Sequence, residues 1–129
     1  MKNSDDIHST LEPVYEAVTN IKSKLETNIT FIGFAGSPWT VATYMIEGKG
    51  SKDHIKTKTF MLNYPQVFKK LILKIQDATI EYLSKQIQGG VDVIKLFDSW
   101  ANSLPATYIE KYSLEPMKVI AKEIKNRFP

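Results

Sequence analysis

Cysteine is absent from the 129 residues, which excludes a disulfide scaffold and any thiolate metal site and fits a reducing compartment. No apolar run approaches the roughly 20 residues a membrane-spanning helix needs. The opening MKNSDDIHST is too acidic and polar for a secretory signal. Histidine is confined to His8 and His54; neither has a partner at metal-ligand spacing, and both are expected at the surface. No HExxH motif, internal repeat or low-complexity segment occurs. Together these absences predict a cytoplasmic globular protein with no membrane partner.

What is present suits one modest core: 43% of the residues are hydrophobic. There are 17 Lys and Arg against 14 Asp and Glu, a net charge of +3. The basic residues are scattered through helical segments instead of forming a run, so no nucleic-acid partner is expected. The balance is compatible with an anionic small molecule, and a lysine-rich solvated surface explains it equally well.

Apolar Leu11, Val14, Tyr15, Val18, Ile21 and Leu25 recur at three- and four-residue steps, predicting a helix over 11–26. TFIGFAG then reads as a strand with apolar residues on both faces, as in a parallel sheet covered by helices, ending at Gly36. Pro38 favours a helix start, and the segment stays helical to Glu47 before GKG breaks it. Pro65 opens the clearest helix, with Phe68, Ile72, Ile75, Thr79, Leu83 and Ile87 on one stripe and Gln76 and Glu81 off it, ended by Gly89-Gly90. In VDVIKLFDS, Val93, Lys95, Phe97 and Ser99 share one face and Ile94 and Leu96 the other. A last helical region follows Pro105, interrupted near Pro116.

Strands alternating with helices of this length predict parallel pairing, hence an α/β layer or a piece of a barrel. Two strands cannot supply their own neighbours on both edges. A complete (β/α)8 barrel takes about 250 residues, so the expected architecture is two parallel strands with flanking helices, an internal fragment of such a barrel. Residues 1–129 are then one partial domain, with segments missing upstream and downstream.

Generic motifs fail. EGKGSKD has Gly50 after Lys49 where a Walker A loop needs Ser or Thr, and Asp53 stands where GxGxxG needs its third glycine. Ser37 and Ser99 lack the GxSxG elbow of a hydrolase.

A longer pattern does match. GFAGSPWTVATYMIEGKGSKD (33–53) and FDSWA (97–101) resemble, in order and spacing, two blocks of the uroporphyrinogen decarboxylase family, and LEPVYEAV (11–18) and SLEPMKVI (113–120) are similar to family segments as well. The resemblance covers essentially the whole chain without an insertion. It implies a (β/α)8 TIM barrel working as a homodimer and removing carbon dioxide from the four acetate arms of the tetrapyrrole uroporphyrinogen to give coproporphyrinogen, with no metal or organic cofactor. A protonated pyrrole ring can itself accept the electrons the departing carboxylate leaves behind, so the protein need only bind, protonate and stabilise charge.

By the same resemblance Tyr44 matches the family's catalytic tyrosine, whose hydroxyl faces the substrate and can donate a hydrogen bond to a carboxylate. Ser99 matches a substrate-binding serine at a strand's C-terminal end, where barrel enzymes carry their sites. Phe34 and Phe97 match aromatic residues lining the cleft, and Gly36 and Gly33 are expected to permit close backbone approach. The loop Gly48-Lys49-Gly50-Ser51 departs from the family's three glycines, and Asn102 replaces a common glycine. The pleat puts Lys95 on the Phe97 face, inside the barrel, where an unpaired ammonium is costly and calls for a carboxylate from another strand. The family's substrate-binding arginine and aspartate belong upstream of these blocks and its histidine downstream, so Arg127, His8 and His54 take none of those roles. Two readings follow: a uroporphyrinogen decarboxylase, inactive as this chain alone, or a non-catalytic remnant or split-enzyme fragment that acts only by association. The related cobalamin-dependent methyltransferases are a remote third, expected to depart from FAGSPWT and YMIEG.

Overall fold

The computed structural model of the chain describes residues 4–48 and 50–129. Its elements run α1 (Ser4–Lys22), β1 (Ile32–Gly36), α2 (Pro38–Glu47), α3 (Ile55–Asn63), α4 (Pro65–Gln88), β2 (Val93–Phe97), α5 (Ala106–Ile109) and α6 (Glu115–Arg127). A 3-10 turn at Ala101–Ser103 follows β2, and a π-helical turn at Glu110–Leu114 joins α5 to α6. The expected break near Pro116 is thus this widened turn, and Pro116 sits in the first turn of α6, where its missing N–H costs nothing.

The strands pair in parallel with Phe34 opposite Lys95 and Gly36 opposite Phe97. The two parallel strands and their flanking helices match the expected piece of a (β/α)8 barrel. Ala35 packs with Ile80 and Leu83 of α4 and Ile120 of α6, with Ile94 and Leu96 beside them. A second cluster joins Trp39 and Ala42 of α2, Met61 of α3, Phe68, Ile72 and Ile75 of α4, Leu104 and Tyr112. Trp39 and Phe68, both fully buried, meet edge to face at 6.0 Å, and Phe68 meets Tyr112 at 5.1 Å.

Several expectations are corrected. The strands are covered on one face only: Phe34 is 60% and Ile32 52% exposed. Lys95 lies on the Phe97 face as expected; in this chain that face is open, so its ammonium is solvated and rests 5.1 Å from the Phe97 ring centre. Replacing Lys95 with Gln should therefore shift the unfolding free energy by no more than about 1 kcal/mol in urea denaturation; a larger loss would mean the ammonium has a buried partner. The first helix begins at Ser4 and ends at Lys22, and part of its apolar stripe stays open, with Ile21 47% exposed. Gln76, expected off the α4 stripe, is buried, as are Ser84 and Gln86, because α4 is enclosed by α2, β1 and α6 and its buried face is wider than one stripe.

Helix α3 was not expected. It has no capping side chain of its own, since its N-cap is His54. The cap comes from α2: the Glu47 carboxylate accepts hydrogen bonds from the Thr57 amide and hydroxyl, both at 3.0 Å. Desolvation would raise the Glu47 carboxyl, but the Thr57 bonds and the nearby His54 and Lys56 charges outweigh it and hold it below its ordinary value.

At the other end of the sheet, Gly90 closes α4 with a left-handed φ of 103°. Asp92 then accepts from Lys22 Nζ at 2.7 and 2.8 Å and from the Phe31 amide at 2.9 Å, tying α1 to the start of both strands. The Lys22 hydrogen bond, with the Phe31 amide, holds the Asp92 carboxyl below its ordinary value of 3.8. A depressed folded value contributes stability that is present above pH 3.8 and lost as the pH falls through the lower folded value. Melting profiles across this range should show a low-pH loss that Asp92→Asn diminishes; identical profiles would remove the pair from the fold's pH response.

Candidate functional site

The two strands end side by side, and the Ser37 amide donates to Phe97 O at 2.7 Å. Ser37, fully buried, caps α2 by accepting from the Thr40 amide at 3.2 Å, and Pro38 starts the helix. This strand-to-helix turn sets α2, and with it Tyr44, beside the C-terminal ends of the strands.

Beyond β2 the chain is held by a polar cluster. Asp98 Oδ1 accepts from Thr40 Oγ1 at 2.7 Å, and Asp98 Oδ2 accepts a short hydrogen bond from Ser113 Oγ. Thr40 Oγ1 accepts in turn from the Trp100 amide at 3.3 Å. Trp39 Nε1 donates to Trp100 O at 2.9 Å, as does Ser103 Oγ at 2.7 Å. Ser99 stands between the anchored Asp98 and Trp100 with its own side chain exposed.

On the open face, Phe34 and Phe97 meet edge to face at 5.7 Å and 84°. Tyr44, half exposed, meets the Trp100 ring at 6.2 Å. The structure therefore joins Phe34, Phe97 and Gly36 on adjoining strands, and joins Tyr44 to the Ser99 turn through Trp100. A Cβ on Gly36 would lie 3.0 Å from Val41 Cγ2, so glycine there admits α2 close to β1. An apolar groove of about 370 Å³ continues from Phe34 and Gly36 along the outer edge of β1 toward Leu11 and Met45. A larger hollow of about 790 Å³ beside α1 is lined by none of these residues.

His54 is a correction: it is 2% exposed, not at the surface. Its backbone is left-handed, φ 50°, which costs a non-glycine residue about 1–2 kcal/mol. Its amide donates to Ser51 Oγ at 3.1 Å and its ring lies 4.8 Å from that of Trp100. His54 Nδ1 and Trp100 Nε1 are both buried without a hydrogen-bond partner. His8 is half-buried against Tyr15 and Glu81. Lys49 lies outside the described residues; Gly48, at φ 74°, ends α2. Among the described residues no group of His, Cys, Asp and Glu has the arrangement of a metal site. No helix among them is long and apolar enough to cross a membrane.

Asp98, Thr40 and Ser113 were missed from the sequence. An aspartate directly after a strand was the available signal, but its partners lie 58 and 15 residues away in the chain.

The family model described as uroporphyrinogen decarboxylase matches residues 1–129. The uroporphyrinogen decarboxylase of Jannaschia sp. (strain CCS1) is 50% identical over 129 residues, which is 100% of this chain and 38% of that protein. The corresponding figures for the uroporphyrinogen decarboxylase of Rhodobacter capsulatus are 51% identity, 100% and 38%. For that of Ruegeria pomeroyi they are 46%, 100% and 38%. The chain thus spans well under half the length of the curated relatives it matches.

Proposed function

The chain belongs to the uroporphyrinogen decarboxylase family, and from that premise we propose that it supplies one wall of a site that decarboxylates the acetate arms of uroporphyrinogen. The observation that carries this reading is the open Phe34–Phe97 pair at the strand ends, in a chain matched by the family from end to end, with Tyr44 joined through Trp100 to the Ser99 turn that follows β2. Residues 1–129 then form part of one barrel domain whose other strands extend the sheet, and the whole enzyme is a cytoplasmic homodimer.

In the reaction, the bond between an acetate methylene and its carboxylate breaks and carbon dioxide leaves. The electron pair passes into a pyrrole ring protonated beforehand, a proton added to the methylene carbon makes it a methyl group, and the ring gives up the proton it had taken, so one proton is consumed for each carbon dioxide released. Phe34 and Phe97 pack against the macrocycle and exclude water from its face, the Tyr44 hydroxyl donates to a substrate carboxylate, and Ser99 hydrogen-bonds a substrate side chain. Asp98 and Trp100 hold the Ser99 turn in register.

The second reading, a piece that acts only by association, draws on the same open face: Ile32, Phe34, Val93 and Phe97 are each more than two-fifths exposed. Chemical-shift mapping of the labelled chain against uroporphyrin, the stable oxidised form, separates the two. Shifts at Phe34, Tyr44, Phe97 and Ser99 support the decarboxylase wall. Shifts confined to the α1 hollow, or none at all in a folded chain, contradict it.

A further inference from the structure

Alternate residues of a strand in a parallel pair turn their N–H and C=O groups to opposite edges. Val93 N donates to Phe31 O and Ser37 N to Phe97 O, so positions 31, 33, 35 and 37 face β2 and Phe34 faces the outer edge. An unpaired edge leaves such groups to water or to another strand. Here a side chain meets them. The Phe34 amide donates to Gln86 Oε1 at 3.1 Å, and Gln86 Nε2 donates to Phe34 O at 3.0 Å. Gln86 comes from the last turn of α4 and is 4% exposed. It passes over Gly33, where a Cβ would lie 2.7 Å from Oε1.

We propose that Gln86 is a positioning residue for Phe34: its amide takes the place of a neighbouring strand at the outer edge of β1 and fixes the ring that, on the reading above, faces the tetrapyrrole. Both backbone groups of Phe34 are satisfied by one primary amide, which offers a donor and an acceptor in the geometry of a peptide. Two consequences follow. Glycine at 33 is required by the passage of Gln86, not by the turn of the chain. A strand added at this edge cannot pair with Phe34 while Gln86 is in place, so the seam there is interrupted at one residue and the Phe34 ring keeps its angle to Phe97.

Amide hydrogen exchange on the labelled full chain tests this. In wild type, Phe34 should be protected alongside Gly33 and Ala35; free exchange at Phe34 in the folded chain would overturn the proposal without any variant. Gln86→Met keeps the length of the side chain and removes both hydrogen bonds, so Phe34 should exchange about 10-fold faster or more while Gly33 and Ala35 keep their rates. Cross-relaxation between the Phe34 and Phe97 rings should weaken with it. Gln86→Glu restores only the acceptor and should return part of the Phe34 protection, a rescue that loss of packing does not give. Gly33→Ala should mimic Gln86→Met by displacing the amide. Unchanged exchange at Phe34 in a folded Gln86→Met chain would refute the clamp. Porphyrin-induced shifts are read separately: a protected Phe34 with no porphyrin shifts would sink the functional reading and leave the clamp standing, and the reverse result would do the opposite.

Discussion

The 129-residue chain alone should release no carbon dioxide from uroporphyrinogen above the spontaneous rate. On the proposed reading, the wall it supplies offers two aromatic rings, a phenol and a serine hydroxyl, and the cation its strands place on that face is Lys95, resting over Phe97. Its arginine, Arg127, is committed elsewhere: Nη1 donates to Glu81 at 2.7 Å and Nε to Glu123 at 2.9 Å, on the helical side. If the substrate's acetate carboxylates lie on this face as proposed, they find no bidentate guanidinium partner among its described residues. Positioning alone accounts for about 7 kcal/mol or more of barrier lowering in well-oriented reactions, which is about 10⁵-fold in rate. The check is anaerobic incubation of the purified chain with reduced substrate, then chromatography of the oxidised porphyrins. Products with seven to four carboxylates appearing at enzymatic rates would show that the catalytic groups lie within this chain, with Tyr44, Ser51, Lys52 and Asp53 the first to re-examine.

Asp98→Ala should destabilise the chain by roughly 2–4 kcal/mol, the scale expected when hydrogen bonds to a charged group are lost and their donors stay buried. Thr40 is 5% and Ser113 1% exposed, and both hydroxyls donate to this carboxylate. Its removal leaves both without that acceptor and removes one of the ties between the Ser99 turn and α2, the Trp39 and Trp100 hydrogen bonds remaining. Asp98→Asn keeps one carbonyl acceptor and should cost about half as much, because a hydroxyl can rotate to meet the new amide. Urea denaturation measures both. A change below about 0.5 kcal/mol for Asp98→Ala would place it among ordinary surface substitutions and remove the cluster from the account of how Ser99 is held.

What the sequence disclosed follows from which interactions are local. The period-two alternation of Val93, Lys95 and Phe97 against Ile94 and Leu96 predicted the β2 pleat, and the structure keeps it because one face packs on α4 and α6. That the other face is open was not visible, since exposure depends on strands that the pattern does not contain. Helix α3 was hidden because its cap, Glu47, comes from the preceding helix and its N-cap position, His54, takes a left-handed backbone uncommon for any residue but glycine. Nothing local in the sequence singles out Gln86, because its partner is the backbone 52 residues earlier. The candidate residues Phe34, Tyr44, Phe97 and Ser99 came from resemblance to a family. Periodicity alone would have left both phenylalanines in a core and Tyr44 on a helix.

The measurement that bears most directly on the central claim is turnover in a full-length relative, such as the Jannaschia sp. (strain CCS1) protein, whose matching segment has been replaced by these 129 residues. The account predicts that the chimera converts uroporphyrinogen to coproporphyrinogen. Within it, Tyr44→Phe and Ser99→Ala should each lower kcat by about 10-fold or more, on the scale of a lost charge-stabilising donor, with thermal stability unchanged, since each removes one hydroxyl from an exposed residue. A folded chimera without activity, or one in which both variants turn over at the parental rate, would contradict the assignment of this wall to the substrate.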